Sequence, residues 1–191
     1  ATPLLESEYS KTPFDWSADG RMIVFGVTDQ RGGDNADLWF FSVENGTSEA
    51  IMKTPFSEKE ARISPDGKWL AYASDESGRF EMYVQSFPEP GLRQQISSGG
   101  GMGPKWRQDG RELFYISPDG RIMAVELAED PLSQVPAAKP LFKVERRFED
   151  SGDDFDVTSD GQTFVVNTPL TEVTNEPLTL QMNWIAGLQK R

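Results

Sequence analysis

Apolar and polar residues alternate along this chain in short runs set between turn residues. Met22–Val27, Trp69–Ala73, Glu112–Ile116 and Thr163–Asn167 are rich in β-branched and aromatic residues, as strands are. No apolar stripe at helical spacing runs beyond about two turns, so the pattern predicts strands and no helix. Each run follows a segment of one kind: Phe14-Asp15-Trp16-Ser17-Ala18-Asp19-Gly20, Ala61-Arg62-Ile63-Ser64-Pro65-Asp66-Gly67, Pro104-Lys105-Trp106-Arg107-Gln108-Asp109-Gly110 and Phe155-Asp156-Val157-Thr158-Ser159-Asp160-Gly161. A short strand leads into a tight turn, where Asp tolerates the third position and Gly supplies the positive φ that follows.

The four turn glycines recur at intervals of 47, 43 and 51 residues. Periods of about 40 to 50 residues that each hold several short strands mark the blades of a β-propeller. Third strands are predicted at Leu38–Val43, Met82–Ser86, Ile122–Leu127 and Leu178–Trp184, and outer strands at Glu49–Met52, Gln94–Ser97 and Pro140–Val144. Glu44-Asn45-Gly46 predicts a two-residue hairpin between the third and fourth strands of the first blade. Ser117-Pro118-Asp119-Gly120 falls too soon after Gly110 to start a blade and is assigned to the turn between strands two and three of blade three. Pro136–Pro140 and Pro169–Pro177 are expected to be loops. The expected fold class is thus all-β: one propeller domain over residues 1–191, with four four-stranded antiparallel blades. The blades fall at about residues 12–53, 59–98, 102–145 and 153–185.

Composition narrows the chemistry. With 19 basic against 31 acidic residues the net charge is −12. That repels phosphate backbones, so neither nucleic acid nor anionic lipid is an expected partner. No apolar run approaches the roughly 20 residues of a membrane-spanning helix. No charged-then-apolar leader opens the sequence, so a targeting signal is expected to be absent or already removed. The absence of cysteine removes disulfides, thiolate metal sites and Cys nucleophiles, and the absence of histidine removes a Ser-His-Asp triad.

Few residues then stand out. Asp29, Asp34 and Asp37 share a Gly-containing loop and are candidate oxygen ligands for Ca²⁺. Their spacing does not follow the EF-hand loop, and Asp is common in exposed turns, so no metal is expected. Gly99–Gly103 leads into Pro104 and a strand rather than a helix N-terminus, and is assigned to an interblade linker. Asn45-Gly46-Thr47 matches a glycosylation acceptor, but hairpin geometry already explains it. Carboxylate pairs abound among 31 acidic residues without any spacing that singles one out for glycoside cleavage. The matching position of the four innermost strands carries Asp15, Arg62, Lys105 and Asp156. These are the expected ligand or channel residues, with pairing of Asp15 to Arg62 and of Lys105 to Asp156 as the structural alternative. Phe14, Trp16, Ile63, Trp106, Phe155 and Val157 are expected to face the interior.

Ser64–Tyr72, Asp75–Val84 and Trp106–Tyr115 closely resemble TolB-type propeller repeats, and the resemblance runs from about Phe14 to Trp184. With Asn183-Trp184 near the end, the chain looks like the propeller C-terminal to many bacterial receptor-like serine/threonine kinases. It departs from the repeat in carrying Ala18, Gln108 and Ser159 where a turn Pro is usual. The resemblance implies a non-enzymatic binding or scaffold module of a larger bacterial protein, without cofactor and outside the cytoplasm. A protein or small-molecule ligand would sit at the channel mouth. A propeller that gates substrate to a hydrolase, and a carbohydrate-active enzyme, are the alternatives. Family propellers generally have more than four blades. Pro3–Glu8 resembles the outer-strand segment Lys139–Val144 and is expected to pair as the outer strand of the last blade, since Ala186–Arg191 makes a weak one. Within one chain that pairing closes a four-bladed monomer. Between two chains it makes a strand-exchanged dimer with eight blades, and half of a larger ring is the further alternative.

Overall fold

The computed structural model describes residues 3–28, 35–89, 91–127, 137–145, 155–168 and 179–182. Among them the chain is built of strands and turns alone. Blade one holds β1 (Ser10–Trp16), β2 (Met22–Thr28), β3 (Ala36–Ser42) and β4 (Thr47–Met52). Blade two holds β5 (Glu58–Ile63), β6 (Trp69–Ser74), β7 (Glu81–Ser86) and β8 (Arg93–Gln95). Blade three holds β9 (Met102–Trp106), β10 (Glu112–Ile116), β11 (Arg121–Glu126) and β12 (Lys139–Lys143), and blade four β13 (Phe155–Val157), β14 (Thr163–Val166) and β15 (Thr179–Met182). In every blade neighbouring strands are consecutive and antiparallel. Three sheets thus have four strands, and the fourth has three among the described residues. The successive innermost strands β1, β5, β9 and β13 lie beside one another.

The turn between the first two strands repeats atom for atom. Ser17 Oγ donates to Asp19 Oδ1 at 2.6 Å and accepts from the Met22 amide at 2.9 Å, while the Gly20 amide donates to the Ser17 carbonyl. Ser64, Asp66 and Trp69 repeat the arrangement in blade two, and Thr158, Asp160 and Thr163 in blade four. In blade three Arg107 takes the hydroxyl position and grips Asp109 with two guanidinium nitrogens, at 2.8 and 2.9 Å. Each turn glycine sits at positive φ, +76° at Gly20, +75° at Gly67, +72° at Gly110 and +72° at Gly161. Ser117–Gly120 uses the same chemistry between β10 and β11, the place assigned to it.

One registry rule orders the faces. Asp15, Arg62, Lys105 and Asp156 pair across the first ladder with Val24, Ala71, Phe114 and Val165, four residues past each turn glycine. That face looks toward the following blade. Val24 packs in one cluster with Ile63, Leu70, Tyr72 and Tyr83 of blade two, Ala71 with Leu113 and Tyr115 of blade three, and Phe114 meets Phe164 of blade four edge to face at 5.2 Å. Trp16, Ile63, Trp106 and Val157 pair with Ile23, Leu70, Leu113 and Phe164 on the opposite face, toward the preceding blade.

Four expectations change. The hairpin around Asn45-Gly46 spans four residues, 43–46, because Gly46 bonds back to the Ser42 carbonyl. Pro140 belongs to β12, as the outer strand expected at Pro140–Val144 has it, and not to the loop expected at Pro136–Pro140; it is tolerated there because that strand is outermost. Pro3–Glu8 forms no strand; Leu5, Glu6 and Ser7 lie beside Phe25, Val27 and Trp39 of blade one, so ring closure by an N-terminal strand is not observed. Trp16 is exposed rather than interior. Pro169–Pro177, Asn183-Trp184 and Ala186–Arg191 lie outside the described residues.

A Cβ added at Gly67 meets nothing within 4 Å, so Gly67→Val isolates the backbone cost of positive φ, about 1–2 kcal/mol. At Gly161 the same Cβ meets Arg107 at 3.0 Å and Phe114 at 3.2 Å, so Gly161→Val is expected to cost more. Urea denaturation of both variants checks the order.

Arg107 and then the Arg111 amide stabilise the Asp109 carboxylate and hold its pKa at about 2. A depressed folded value contributes stability above the unfolded value and loses it as pH falls through the folded one. Relative to Asp109→Asn, the native chain should therefore lose stability between about pH 4 and about pH 2. Denaturation midpoints of the two proteins across that window test it.

Candidate functional site at the channel mouth

The registry rule delivers Asp15, Arg62, Lys105 and Asp156 from four blades to one cavity of about 460 Å³. Trp16, Trp106, Ser64, Gln108 and Val157 complete much of its wall. The innermost strands hold one another here through bonds that join side chain to backbone. Asp15 Oδ1 accepts from the Trp16 amide at 2.9 Å, and Oδ2 accepts from the Ile63 amide of the next blade at 2.8 Å. Arg62 reaches back to the Phe14 carbonyl, and the Trp106 indole N–H donates to the Arg62 carbonyl at 3.1 Å. The turns of blades three and four meet backbone to backbone, where the Gln108 main-chain N–H donates to the Ser159 carbonyl at 3.0 Å. Asp156 repeats the local half of the Asp15 arrangement, accepting from the Val157 amide at 2.9 Å. The expected partnership of Asp15 with Arg62 therefore takes the form of two crossed bonds between β1 and β5.

Beneath this layer the backbone is strained at one residue. Glu60 has φ +57°, the one non-Gly residue at positive φ among those described, and stands at the bulge where β5 slips against β6. Its counterpart in blade three, also seven residues before the turn glycine, is Gly103 at φ +66°. Glu60 Oε2 accepts from the Gly103 amide at 2.8 Å. A carboxylate bond of this kind offsets the local strain while joining two bulges. Glu60 belongs to no motif, and its alignment with Gly103 is the one sequence signal that marks it.

Asp37, one of the three loop carboxylates, lies on β3 beside a different cavity of about 410 Å³, with Tyr9, Lys11, Trp39 and Lys53. The Lys53 ammonium sits 4.5 Å from the centre of the Trp39 ring. Asp29 and Asp34 lie outside the described residues. Among the described residues no group of three or more acidic side chains is placed to hold a metal ion.

The buried titratable groups serve packing. Tyr72 and Tyr83 stack at 5.9 Å, and the Arg93 guanidinium covers Tyr83 while bonding the Tyr72 hydroxyl at 2.6 Å and Glu76 at 2.7 Å. Burial raises the Tyr72 phenol, and burial followed by the Glu76 carboxylate raises Tyr83 to about 12. Both stay protonated at neutral pH and act as fixed donors. Burial also raises Glu58, which accepts from Thr54 at 2.6 Å and Ser74 at 3.4 Å.

The chain therefore has a TolB-like β-propeller fold. It is similar to TolB from Acinetobacter baumannii, with TM-score 0.67 and 16% identity over 92% of this chain and 41% of that one. It is similar also to an oligogalacturonate lyase in complex with manganese, with TM-score 0.68 and 13% identity over 96% of this chain and 53% of that one. The propeller domain of the Trilobed protease from Pyrococcus furiosus matches with TM-score 0.58 and 17% identity, over 90% of this chain and 53% of that one. The chain spans about half or less of the length of these relatives. No family model and no curated relative matches the sequence.

Trp106→Phe keeps an aromatic ring but removes the indole N–H bond to blade two and part of the packed ring system, and is expected to cost at least about 0.5–1.5 kcal/mol. Trp16→Phe, at an exposed position, is expected to change stability by less than about 0.5 kcal/mol. Thermal denaturation of the two variants distinguishes an interblade anchor from a surface tryptophan.

Proposed function

We propose that this chain is a non-enzymatic binding module, part of a larger protein, that takes a polar ligand at the channel mouth. The observation that carries this reading is Trp16. It is 60% exposed, although its equivalent Ile63 is buried and Trp106 and Val157 are half-buried, and it stands on the wall of a cavity that also holds two carboxylates and two cations. An uncovered tryptophan beside fixed charges provides a flat apolar contact and orienting polar groups, the usual make-up of a recognition site. Asp15 and Arg62 are held by backbone groups of each other's strand, so that side of the site is preorganised. Catalysis finds less support: the chain has neither His nor Cys, and its buried phenols are held protonated. A peptide segment carrying charges of both signs suits such a wall best.

An array of mixed-charge peptides, probed with the intact chain, tests this. Hits should lose about tenfold or more in affinity in Trp16→Ala and in Lys105→Gln. Binding indifferent to both changes removes the channel mouth as the site. Turnover of chromogenic glycoside or peptide substrates by the purified chain, abolished by a channel substitution, overturns the non-enzymatic reading.

A further inference from the structure

A cavity of about 630 Å³ lies between the outer strand of blade two and the two middle strands of blade three, and its wall shares no residue with the channel mouth. Gln94, Gln95 and Ser98 line it from blade two and the linker that follows, Tyr115, Met123 and Ala138 from blade three. Among the described residues no charged side chain lines it, in a chain where 26% of residues are charged. A charged ligand would lose water there without gaining a counter-charge, so the wall favours an uncharged one. Tyr115 is the residue that packing leaves unexplained. Three tyrosines are buried. Tyr72 bonds Arg93 and the Tyr83 phenol is set beside the Glu76 carboxylate, whereas the Tyr115 hydroxyl has no hydrogen-bond partner among the described residues. Buried hydroxyls ordinarily have one. Only 3% of Tyr115 is exposed, and its hydroxyl is the polar group it brings to the cavity wall. Burial, and then the Glu81 carboxylate, raise its pKa to about 12, so it stands ready to donate at neutral pH.

The glycine run of the linker adds to this. Gly100 and Gly103 have φ +93° and +66°, and Gly101 admits the Tyr115 ring, which an added Cβ would meet at 2.8 Å. Gly99 has neither reason: its φ lies outside the left-handed region, and an added Cβ would meet nothing within 4 Å. What its missing side chain leaves open is the cavity wall. Glu81, itself 2% exposed, fixes that wall. It accepts from the Ser97 hydroxyl and, at 2.9 Å, from the Gly100 amide, while Ser97 Oγ accepts from the Met82 amide at 2.8 Å. We propose that this cavity is a second binding site, and that it takes a short neutral saccharide. Sugar hydroxyls both donate and accept, as the Tyr115 and Ser98 hydroxyls do, and the Gln94 and Gln95 carboxamides offer both kinds of group. The C–H faces of a sugar ring suit the Met123 and Ala138 side chains beside them. The concavity has the size of a small-molecule site rather than the length of a peptide groove. This inference is independent of what the channel mouth binds.

An array of glucose-, galactose- and mannose-based oligosaccharides, with their uronic-acid forms and a set of uncharged peptides, is probed with the intact chain, and hits are titrated by calorimetry. Neutral saccharides should bind and the uronic-acid forms should not. Tyr115→Phe should keep the native melting temperature, because its hydroxyl holds nothing in the fold, and should weaken binding by roughly two- to tenfold, the worth of one hydrogen bond. Gly99→Leu, which puts a side chain on the open wall, should weaken it by about tenfold or more. No saccharide binding up to about 10 mM, well above a Kd of about 1 mM at the weak end for a small ligand, overturns the inference. So does binding that survives both substitutions, or binding that Trp16→Ala abolishes, which would put the saccharide at the channel mouth. Uncharged peptides bound with the same dependence in place of saccharides overturn the ligand class.

Discussion

A blade of this protein has an apolar face on each side of its sheet, and each face must be covered by another blade. That constraint organises the molecule. Four short strands cannot enclose a core of their own, so Leu70, Tyr72 and Tyr83 of blade two complete the core of blade one, and Phe164 of blade four completes that of blade three. Cover is lent forward and backward by alternate residues of each strand. A one-residue slip in any ladder exchanges the two sets. The Asp-Gly turn prevents that slip, because its hydroxyl, carboxylate and positive-φ glycine fix where the second strand begins relative to the first.

The charges near the axis follow from the same constraint. Innermost strands of neighbouring blades lie side by side without forming one sheet, so their backbone groups face a gap. Buried amides and carbonyls need partners. Asp15, Arg62, Glu60 and Trp106 supply them across the gaps, reaching the Ile63 amide, the Phe14 carbonyl, the Gly103 amide and the Arg62 carbonyl in turn. Ion pairing between exposed side chains contributes little to stability, whereas a charged group on a backbone donor forms a stronger bond. The channel mouth is thus polar for structural reasons first, and what remains uncovered there is available to a ligand.

A repeat that obeys one rule reveals itself where the rule is broken. Trp16 and Val165 occupy positions that are covered in other blades, and they stand at opposite ends of the repeat order. Glu60 accepts a backbone conformation that blade three assigns to glycine, and its carboxylate holds the neighbouring bulge. The departure at Glu60 coincides with the joint between blades two and three.

The amino-acid sequence determined the blades. The spacing of Gly20, Gly67, Gly110 and Gly161, the alternation of the strands between them and the shared position of Asp15, Arg62, Lys105 and Asp156 are local features, carried by turn chemistry and a period of two. It was also enough to bring those four side chains to one cavity, because equivalent positions in a repeat point the same way. Tertiary structure alone decided which side of a strand is covered, and by what. Trp16 and Ile63 are alike in sequence terms, yet only Ile63 is fully buried, since blade one packs against Ile63 and among the described residues no blade packs against Trp16. For the same reason Pro3–Glu8 has the composition of an outer strand and forms none: pairing needs an edge within reach, and the segment lies instead beside blade one. The crossed bonds of Asp15 and Arg62, which no spacing specifies, arise from the distance between two innermost strands and the unfilled backbone groups between them.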